Sequence, residues 1–381
     1  MTEKNNRLNV LWLTTWYPNR FDAYDGDFIQ RQAWAAQIFN NITVIAIVPS
    51  PVKNYEISVQ KNKITEIRIL VADTYNAFLK SIRLLRAIRI GWKELKKLEA
   101  EKPDLIHANI IGASTVWAYI LNQLFKIPFI ITEHWSGPLV LRRKTFYGLA
   151  RRMSKKASAV IVLSEAMKSG MTERGIINNF YTVPNVVDIE IFSPKEKNNA
   201  SVFRWLHVSS LRDDIKNVSG ILKAFAKQKT VDDNFRLDII GGGGDEAQLE
   251  KSAAALNLLN TLVFFHGIQP HDKIAQAMSQ ADALIMNSRR EGLPCVILEA
   301  MSCGLPIVST DVGGISEWVT PEVGILIPSE NEPALEKAIK KIMRLKNDFS
   351  KEKIRSKIVQ TCSYEEVGFL LNDIYKKIVV Q

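Results

Sequence analysis

Residues 283–309 read ALIMNSRREGLPCVILEAMSCGLPIVS and contain two short apolar runs on either side of a helical pattern. The runs, Ala283–Met286 and Pro306–Ser309, have the length and continuous apolarity of strands that are buried on both faces of a parallel sheet. The segment 295–303 between them predicts a helix that ends at Gly304. This stretch therefore predicts a strand–loop–helix–strand unit of an α/β domain.

The same alternation of apolar runs and helical patterns extends over the whole chain. The other runs are Leu8–Leu13, Ile42–Val48, Asp104–His107, Phe129–Thr132, Ala159–Leu163, Phe203–Val208, Phe235–Ile240 and Leu262–Phe265. Strands that alternate with helices predict doubly wound, Rossmann-like domains, and 381 residues suffice for two of them. The segment Pro184–Asp188, with the polar stretch Pro194–Ser201 after it, indicates a linker between the two domains.

The composition excludes several classes of protein. With 46% hydrophobic and 24% charged residues, each half can bury a core of its own. No apolar run reaches the roughly 18 residues of a membrane span, and the first residues lack the features of a signal peptide. The three cysteines, Cys295, Cys303 and Cys362, do not have the spacing of metal ligands, and they do not form a disulfide framework. We therefore expect a cytoplasmic protein.

The net charge of +10 is confined to one half of the sequence. Residues 1–190 hold 26 Lys and Arg against 16 Asp and Glu, whereas residues 191–381 hold 24 of each. Such an excess indicates an anionic partner, such as a phospholipid surface or an anionic substrate. Further basic groups stand at Arg142–Lys144 and in 151–156. Nucleic acid is not expected, because no recognised binding motif accompanies the charge.

The segment Lys80–Lys97 predicts a basic amphipathic helix. Its basic residues are Arg83, Arg86, Arg89, Lys93 and Lys97, and Leu85, Ile88, Trp92 and Leu95 take the other side. The pattern fits peripheral contact with the inner face of the cytoplasmic membrane, and it fits equally a solvated face of a packed helix.

Two glutamates, Glu291 and Glu299, lie in the loop and helix of the opening stretch. Loops at the carboxyl ends of parallel strands bind ligands, and two domains that face each other would place a site between them. The N–H groups at a helix start suit an anion such as a diphosphate. Eight helical residues would separate the two carboxylates by about 12 Å along the axis, enough to hold two points of an extended ligand. The alternative is an amphipathic helix with two solvated glutamates.

Other phosphate and metal motifs do not match. Gly241–Gly244 follows a predicted strand, but no Gly-Lys-Ser/Thr follows it and no G-x-G-x-x-G opens a first βα unit. Gly241–Gly244 could form either a tight backbone turn or a contact with a ligand. Because no Asp-x-Asp or carboxylate cluster with metal-ligand spacing lies near the end of a predicted strand, we expect neither a metal nor another cofactor.

The stretch around Glu291 and Glu299 resembles the donor-site motif of the family 4 retaining glycosyltransferases, among them bacterial enzymes that assemble polysaccharides and glycolipids. Further matches are Thr15–Pro18 with Gly26–Gln32, Asp104–Ala108, Thr132–His134, Val183–Asn185 and Lys216–Asn217. The resemblance implies an α/β protein with the GT-B fold of two facing Rossmann-like, doubly wound domains. Residues 1–187 would bind the acceptor and 188–364 the nucleotide-sugar donor, and a last helix, 364–380, would cross back to the first domain.

The resemblance also implies donor-binding roles. Glu291 would contact hydroxyls of the transferred sugar, Glu299 the nucleotide ribose, and Lys216 the diphosphate. The backbone of Gly292, Leu293 and Pro294 would line the sugar and phosphate. Gly26 would let the first loop approach the phosphates and the acceptor.

The candidate catalytic residues are His134, near the anomeric carbon, with Lys216 and Glu291. Trp16, Tyr17 and His107 are candidates for acceptor binding, and buried aromatic or core roles are equally open for them. Two positions depart from the family pattern. Ser209-Ser210-Leu211-Arg212 replaces a Gly-Arg-Leu run, so Arg212 would contact phosphate from a shifted position. Asn109 stands where a second His is common.

These features predict retaining transfer of a hexose or N-acetylhexosamine from a nucleoside diphosphate sugar to a glycan or lipid-linked acceptor. Lys216, Arg212 and helix starts would stabilise the leaving diphosphate in place of a metal. The alternatives are a nucleotide-sugar epimerase or hydrolase of the same fold, and a non-catalytic nucleotide-sugar binding module. The joint presence of Glu291, Glu299 and Lys216 argues against the binding module.

Overall fold

The computed structural model describes residues 7–74, 77–98, 101–134, 144–196, 202–345 and 348–380. The chain divides into two compact units: unit 1 comprises residues 1–186 and 364–381, and unit 2 comprises residues 187–363. Each unit consists of strands that alternate with helices, as the apolar runs predict.

Among the described residues of unit 1, eight strands form one sheet in the order β3-β4-β2-β1-β5-β6-β7-β8. The strands are β1 (Asn9–Thr14), β2 (Asn41–Ser50), β3 (Tyr55–Lys61), β4 (Thr65–Ala72), β5 (Leu105–Asn109), β6 (Phe129–Thr132), β7 (Ala159–Val162) and β8 (Phe180–Thr182). The helices are α1 (Asp27–Gln37), α2 (Ala77–Lys97), α3 (Ala113–Phe125), α4 (Lys144–Lys156) and α5 (Glu165–Glu173). β3 pairs with β4 antiparallel, and the other neighbours are parallel.

In the described part of unit 2, six parallel strands form a sheet in the order β11-β10-β9-β12-β13-β14. They are β9 (Phe203–Val208), β10 (Phe235–Ile240), β11 (Val263–Phe265), β12 (Ala283–Met286), β13 (Ile307–Thr310) and β14 (Gly324–Ile327). The helices are α6 (Asp213–Lys216), α7 (Val218–Lys229), α8 (Glu246–Ala255), α9 (His271–Gln280), α10 (Cys295–Ser302), α11 (Glu332–Leu345) and α12 (Lys351–Cys362). Trp205 and Phe235 both pack against Phe225 in the core.

The last helix, α13 (Tyr364–Val379), follows unit 2 in sequence but packs in unit 1. It contacts α1 closely, because a Cβ on Gly368 would lie 2.3 Å from the carbonyl oxygen of Ala35. Leu371 and Tyr375 are fully buried in the unit 1 core. The expected return of this helix to the first domain is confirmed.

Four strands escaped the sequence analysis: β3, β4, β8 and β14. β3 is exposed along its whole length, so its sequence lacks the apolar run that marks a buried strand. β8 has three residues, too few for a periodic pattern. The antiparallel β3–β4 hairpin is thus an edge feature that burial-based patterns do not indicate.

The segment predicted as a linker is packed over much of its length. Residues Pro184–Val187 are buried. The Gln32 side chain donates to the Pro184 carbonyl at 3.2 Å, and the Val187 N–H donates to the Cys362 carbonyl at 2.8 Å. The boundary between the two units nevertheless falls between Val186 and Val187, where the sequence predicts the linker, and 197–201 of the polar stretch lie outside the described residues. Across the described ranges, no helix is long and apolar enough to cross a membrane.

Candidate functional site

A largely buried ion pair lies at the carboxyl edge of the unit 2 sheet. Lys216 Nζ is 2.6 Å from Glu291 Oε1, and 14% and 10% of their side chains are exposed. Lys216 ends the short helix after β9, and Glu291 follows β12. Because β9 and β12 are adjacent parallel strands, their carboxyl ends bring together two residues that are 75 positions apart in sequence.

Arg289 fixes the backbone that carries Lys216. Its Nη1 donates to the Asp213 carbonyl at 2.5 Å and its Nη2 to Asn217 Oδ1 at 2.9 Å. The Arg289 N–H also donates to the Ile215 carbonyl at 2.7 Å. Sequence reasoning missed this role. Its side-chain partners are more than 70 residues away in sequence, so no local pattern indicates them.

Glycines support the loop that carries Glu291. Gly313 has a φ of 61°, and a Cβ there would lie 2.4 Å from the Glu291 carbonyl oxygen. The Gly314 N–H donates to the Gly292 carbonyl at 2.8 Å.

A Cβ on Gly241 would lie 1.8 Å from the Ser209 carbonyl oxygen. The close approach of the Ser209 backbone therefore explains why glycine stands at position 241, in a tight turn after β10.

Glu299 lies on α10 and is 5% exposed. Because α10 begins at Cys295, residues 291–294 are not helical, and the separation of about 12 Å expected from helical rise does not apply. Leu293 is buried, whereas Gly292 and Pro294 are half-buried.

Arg212, the candidate phosphate ligand, is exposed, and its Nη2 lies 3.2 Å from Asp214 Oδ2. Arg290 reaches the same carboxylate at 3.4 Å. Within the described ranges, no group of three or more His, Cys, Asp or Glu side chains is placed to hold a metal ion.

In unit 1, a neutral histidine lies at the ends of β5 and β6. His134 is 8% exposed, and its Nε2 is 3.0 Å from Asn109 Oδ1. Burial lowers the pKa of His134 to about 3, so the imidazole is neutral near pH 7. With the amide oxygen as acceptor, Nε2 carries the proton and Nδ1 is the acceptor. Nδ1 has no hydrogen-bond partner among the described residues.

A strained turn holds Asn109 next to His134. Ile110 has a φ of 69°, a conformation that β-branched residues rarely adopt. The Glu133 carboxylate accepts from the N–H groups of Ile111 at 2.9 Å and His134 at 3.0 Å. The Ser114 hydroxyl donates to the Asn109 carbonyl at 2.6 Å. These bonds fix the backbone on both sides of the Asn109–His134 contact.

Two family models match the chain. The model of glycosyl transferases group 1 matches residues 188–359, and the model of Glycosyltransferase Family 4 matches residues 35–191. The chain belongs to the family 4 glycosyltransferases.

Two named relatives are 24% and 28% identical to this chain. This glycosyltransferase is 24% identical over 356 residues to a Bacillus subtilis glycosyltransferase named for teichuronic acid biosynthesis, covering 87% of this chain and 88% of the relative. It is 28% identical over 235 residues to the sulfoquinovosyl transferase of Arabidopsis thaliana, covering 58% of this chain and 45% of that protein. The chain therefore spans less than half of the plant relative.

Solved structures show the same fold. Sucrose-phosphate synthase from Thermosynechococcus elongatus has a TM-score of 0.81 at 19% identity, covering 98% of this chain and all of that chain. Anabaena HepE in complex with UDP has a TM-score of 0.75 at 17% identity, covering 97% and 100%. This family 4 glycosyltransferase has the GT-B fold, with two Rossmann-like domains.

Two residues predicted to bind the acceptor are core residues of this glycosyltransferase. His107 is fully buried, with Nδ1 2.7 Å from the Tyr375 hydroxyl and Nε2 2.6 Å from Thr132 Oγ1. Tyr17 is also fully buried, and its hydroxyl donates to Glu66 at 2.6 Å. Neither presents a surface to an acceptor in this structure, so both assignments are corrected.

The loop after β1 contains three residues of interest, Trp16, Asp25 and Gly26. Trp16 is half-buried with its ring 5.3 Å from that of Phe28, so its acceptor role stays a prediction. Gly26 has a φ of 63°, and a Cβ there would lie 2.5 Å from the Trp16 carbonyl oxygen. The loop's own packing thus requires glycine. Burial raises the pKa of the neighbouring Asp25 to about 6, a feature that sequence reasoning missed.

Proposed function

We propose that this glycosyltransferase moves a hexose or N-acetylhexosamine from a nucleoside diphosphate sugar to a hydroxyl of a glycan or lipid-linked acceptor, with retention of the anomeric configuration. The Lys216–Glu291 ion pair carries the proposal. It holds a cation suited to a diphosphate next to a carboxylate suited to sugar hydroxyls, close in sequence to the start of α10. The HepE complex with UDP supports a nucleoside diphosphate as the leaving group.

In the proposed reaction, the bond between the anomeric carbon and the diphosphate oxygen breaks, and its electron pair leaves with the diphosphate. The acceptor oxygen bonds to the anomeric carbon on the same face, and its proton passes to the leaving phosphate oxygen. Lys216 stabilises the negative charge that develops, which is usually the largest contribution to catalysis. The neutral His134 offers a hydrogen bond to a sugar hydroxyl without adding charge.

Nucleotide binding and product analysis test this proposal together. A panel of UDP-, GDP-, ADP- and dTDP-sugars is screened by thermal shift, since a ligand at 100 times its Kd stabilises by about 2.7 kcal/mol. The nucleotide that binds is then incubated with glycan and lipid-linked acceptors. A glycosylated acceptor with a retained anomeric centre supports the proposal. Free sugar alone would identify a hydrolase, a changed sugar an epimerase, and binding without turnover a binding module.

We further propose that the transfer needs no metal, with Lys216 and helix N–H groups supplying positive charge. Activity in excess EDTA should equal activity without it. The control adds Mg²⁺ or Mn²⁺ back to the chelated enzyme. Activity that disappears in EDTA and returns with either ion would contradict the proposal.

The membrane proposal rests on the outer face of α2. Leu79, Ile82, Arg86, Arg89 and Lys93 are exposed and recur every three or four residues. Near an anionic leaflet each basic residue contributes about 1 kcal/mol, and the attraction decays within about 8 Å at physiological salt. We propose that this face binds the inner leaflet of the cytoplasmic membrane, where a lipid-linked acceptor would be presented.

The other side of α2 packs against the rest of unit 1. Leu95 and Gly91 are buried, and a Cβ on Gly91 would lie 2.8 Å from Ile45 Cγ2. Arg83 donates to the carbonyls of Ala72 and Asp73. Arg83 is therefore unsuitable for a charge-reversal test. Of the other basic groups, residues 142 and 143 lie outside the described residues.

Vesicle co-sedimentation checks the membrane proposal. The variant Arg86→Glu, Arg89→Glu, Lys93→Glu should lose binding to anionic vesicles, and high salt should release the wild type. The matched control reverses Lys337, Lys340 and Lys341, three exposed lysines of α11 in unit 2. Equal binding by the two variants, or no wild-type binding at low salt, would refute the proposal.

A further inference from the structure

A polar pocket of about 460 Å³ lies in unit 1, beside the loop that follows β1. Its floor is one face of the β3–β4 hairpin, where Ser58 is opposite Arg68 and Glu56 is opposite Leu70. The loop residues 18–20 and 23, with Gln30 of α1, complete the lining. None of the roles assigned above uses this pocket.

The strand register places the pocket at the ligand-binding edge of the sheet. Thr14, the last residue of β1, is level with Ala46 of β2, which is level with Arg68 of β4, which is level with Ser58 of β3. Pocket residues Arg68 and Ser58 thus share one row with the carboxyl end of β1. In doubly wound domains, ligands bind beyond this end of the strands.

A buried hydrogen-bond network fixes the pocket's shape. The Glu66 carboxylate is buried and accepts from the Tyr17 hydroxyl at 2.6 Å, from Gln30 Nε2 at 2.8 Å and from Arg68 Nη2. Arg68 Nη1 donates to Gln60 Oε1 at 2.5 Å. Arg68 Nε has no partner among the described residues. The network therefore holds Gln30, Gln60 and Arg68 of the lining in place before a ligand arrives.

The balance of charge in the pocket favours a neutral ligand. Its two cations are both paired, Arg68 with Glu66 and Arg20 with Glu56 at 2.8 Å. The lining adds amides and a hydroxyl, and Pro18, Ala23 and Leu70 supply apolar contact. Hydrogen-bonding groups beside small apolar surfaces match the hydroxyls and C–H faces of a sugar ring. A free phosphate would meet the Glu56 carboxylate.

We propose that this pocket binds a pyranose unit of the acceptor, distinct from the unit that receives the transferred sugar. The inference rests on the proposed glycosyltransferase function and specifies that the acceptor is a saccharide of at least two units. One face of α1 places Phe28 against His134, with ring centroids 5.0 Å apart, while Gln30 donates into the pocket network. Because a helix is about 10 Å across with its side chains, one sugar ring cannot occupy both places.

Two tryptophan substitutions on the exposed strand β3 test the proposal. Ser58→Trp fills the pocket, whereas Val59→Trp adds the same side chain at the next residue, which does not line the pocket. Saturation-transfer NMR measures binding of methyl glycosides of glucose, galactose, mannose, rhamnose and N-acetylglucosamine to the full chain at millimolar concentration. At least one glycoside should bind the wild type and Val59→Trp, and bind Ser58→Trp at least tenfold more weakly.

The same three proteins are screened by thermal shift with the nucleotide sugars, which should bind all three equally. If no glycoside binds the wild type, or if both tryptophan variants bind alike, the sugar pocket is refuted whatever the nucleotide result. Inorganic phosphate that binds and is lost in Ser58→Trp would also overturn it. If the glycoside result holds while no nucleotide sugar binds, the pocket stands and the transferase proposal fails.

Discussion

The candidate site residues of unit 2 form a charged pair, whereas the candidate catalytic histidine of unit 1 has a neutral partner. In unit 2, Lys216 and Glu291 form an ion pair at 2.6 Å. In unit 1, His134 is paired with the Asn109 amide, and burial holds the pKa of the imidazole at about 3. A fixed charge suits a diphosphate that gains charge as it leaves. A neutral imidazole suits hydroxyl groups, which carry no charge to stabilise.

The two regions are also held in different ways. Arg289 ties the Lys216 loop to the β12 loop through side-chain bonds across more than 70 residues. Around His134, the Glu133 carboxylate accepts from the backbone N–H groups of Ile111 and His134, next to the positive φ of Ile110. In the first region a cation donates to the loop, and in the second a carboxylate accepts from backbone N–H groups.

Loss of the cation in unit 2 should have the largest effect. Lys216→Ala should lower the transfer rate at saturating donor by about 10²–10³, as removal of one stabilising donor does elsewhere. Steady-state kinetics with the donor found in the nucleotide screen measures this loss. Lys223→Ala, an exposed lysine on α7, is the control and should leave the rate unchanged.

Because Lys216→Ala leaves the Glu291 carboxylate unpaired, stability must be measured in parallel. Lys216→Arg keeps the charge and should retain part of the activity. An inactive Lys216→Ala whose melting temperature equals that of the wild type supports the charge argument. Wild-type rates in that folded variant would remove Lys216 from the mechanism.

Nucleotide affinity should depend on the buried carboxylate of α10. Glu299→Ala should raise the Kd for the nucleotide about tenfold or more, since a hydrogen bond to a charged group contributes about 1.5–3 kcal/mol. Isothermal titration with the nucleoside diphosphate alone gives the Kd. Glu322→Ala, at an exposed carboxylate elsewhere in unit 2, provides the baseline. A Kd for Glu299→Ala within twofold of that baseline would contradict the ribose assignment.

The parts of the fold with continuous apolar runs could be predicted from the sequence. Phe203–Val208, Phe235–Ile240 and Ala283–Met286 are strands with the predicted bounds, because burial keeps most of their residues apolar. The family resemblance pointed to Lys216 and Glu291, and the structure brings their side chains together.

What depends on distant packing could not be predicted. His107 looked like a ligand at a strand end, but Tyr375 of α13, 268 residues later, covers it. Arg289 has no local pattern that indicates its bonds to Asp213 and Asn217. Strand β3 and the pocket beside it were not predicted, because the residues of this strand are exposed and form no apolar run.

A carboxylate placed beside His134 would make unit 1 resemble unit 2. Asn109→Asp puts a negative charge about 3 Å from Nε2, which favours the protonated imidazole and raises the pKa of His134. We expect the pH–rate profile, flat for His134 in the wild type between pH 5 and 8, to gain an ionisation in that range. NMR titration of the His134 ring provides the assignment. Asn122→Asp, at a half-buried position of α3, serves as the control. An unaltered profile in a folded Asn109→Asp variant would show that the contact does not couple to the reaction.

The smallest expected effect concerns a carboxyl group in the first loop of unit 1, where the surroundings again disfavour charge. Burial raises the pKa of Asp25 to about 6 from an ordinary value of 3.8, opposed by a hydrogen bond from Trp16 and assisted by the charge of Asp22. Below pH 4 the carboxyl is protonated in the folded and unfolded states, so it does not affect stability. Between about pH 4 and 6 the unfolded chain releases the proton first, and the free energy of unfolding falls as the pH rises. Above pH 6 the loss of stability from the charged Asp25 is complete.

Asp25→Asn removes this loss of stability and should stabilise the protein at pH 7.5 by about 1 kcal/mol. That is less than the roughly 3 kcal/mol equivalent to two pKa units, because the side chain is only half-buried and solvent screens it. Urea unfolding of Asp25→Asn and of an exposed control, Asp233→Asn, at pH 4.5 and 7.5 measures the difference. A gain of equal size at both pH values would come from packing, and would show that the Asp25 charge does not limit the stability of this loop.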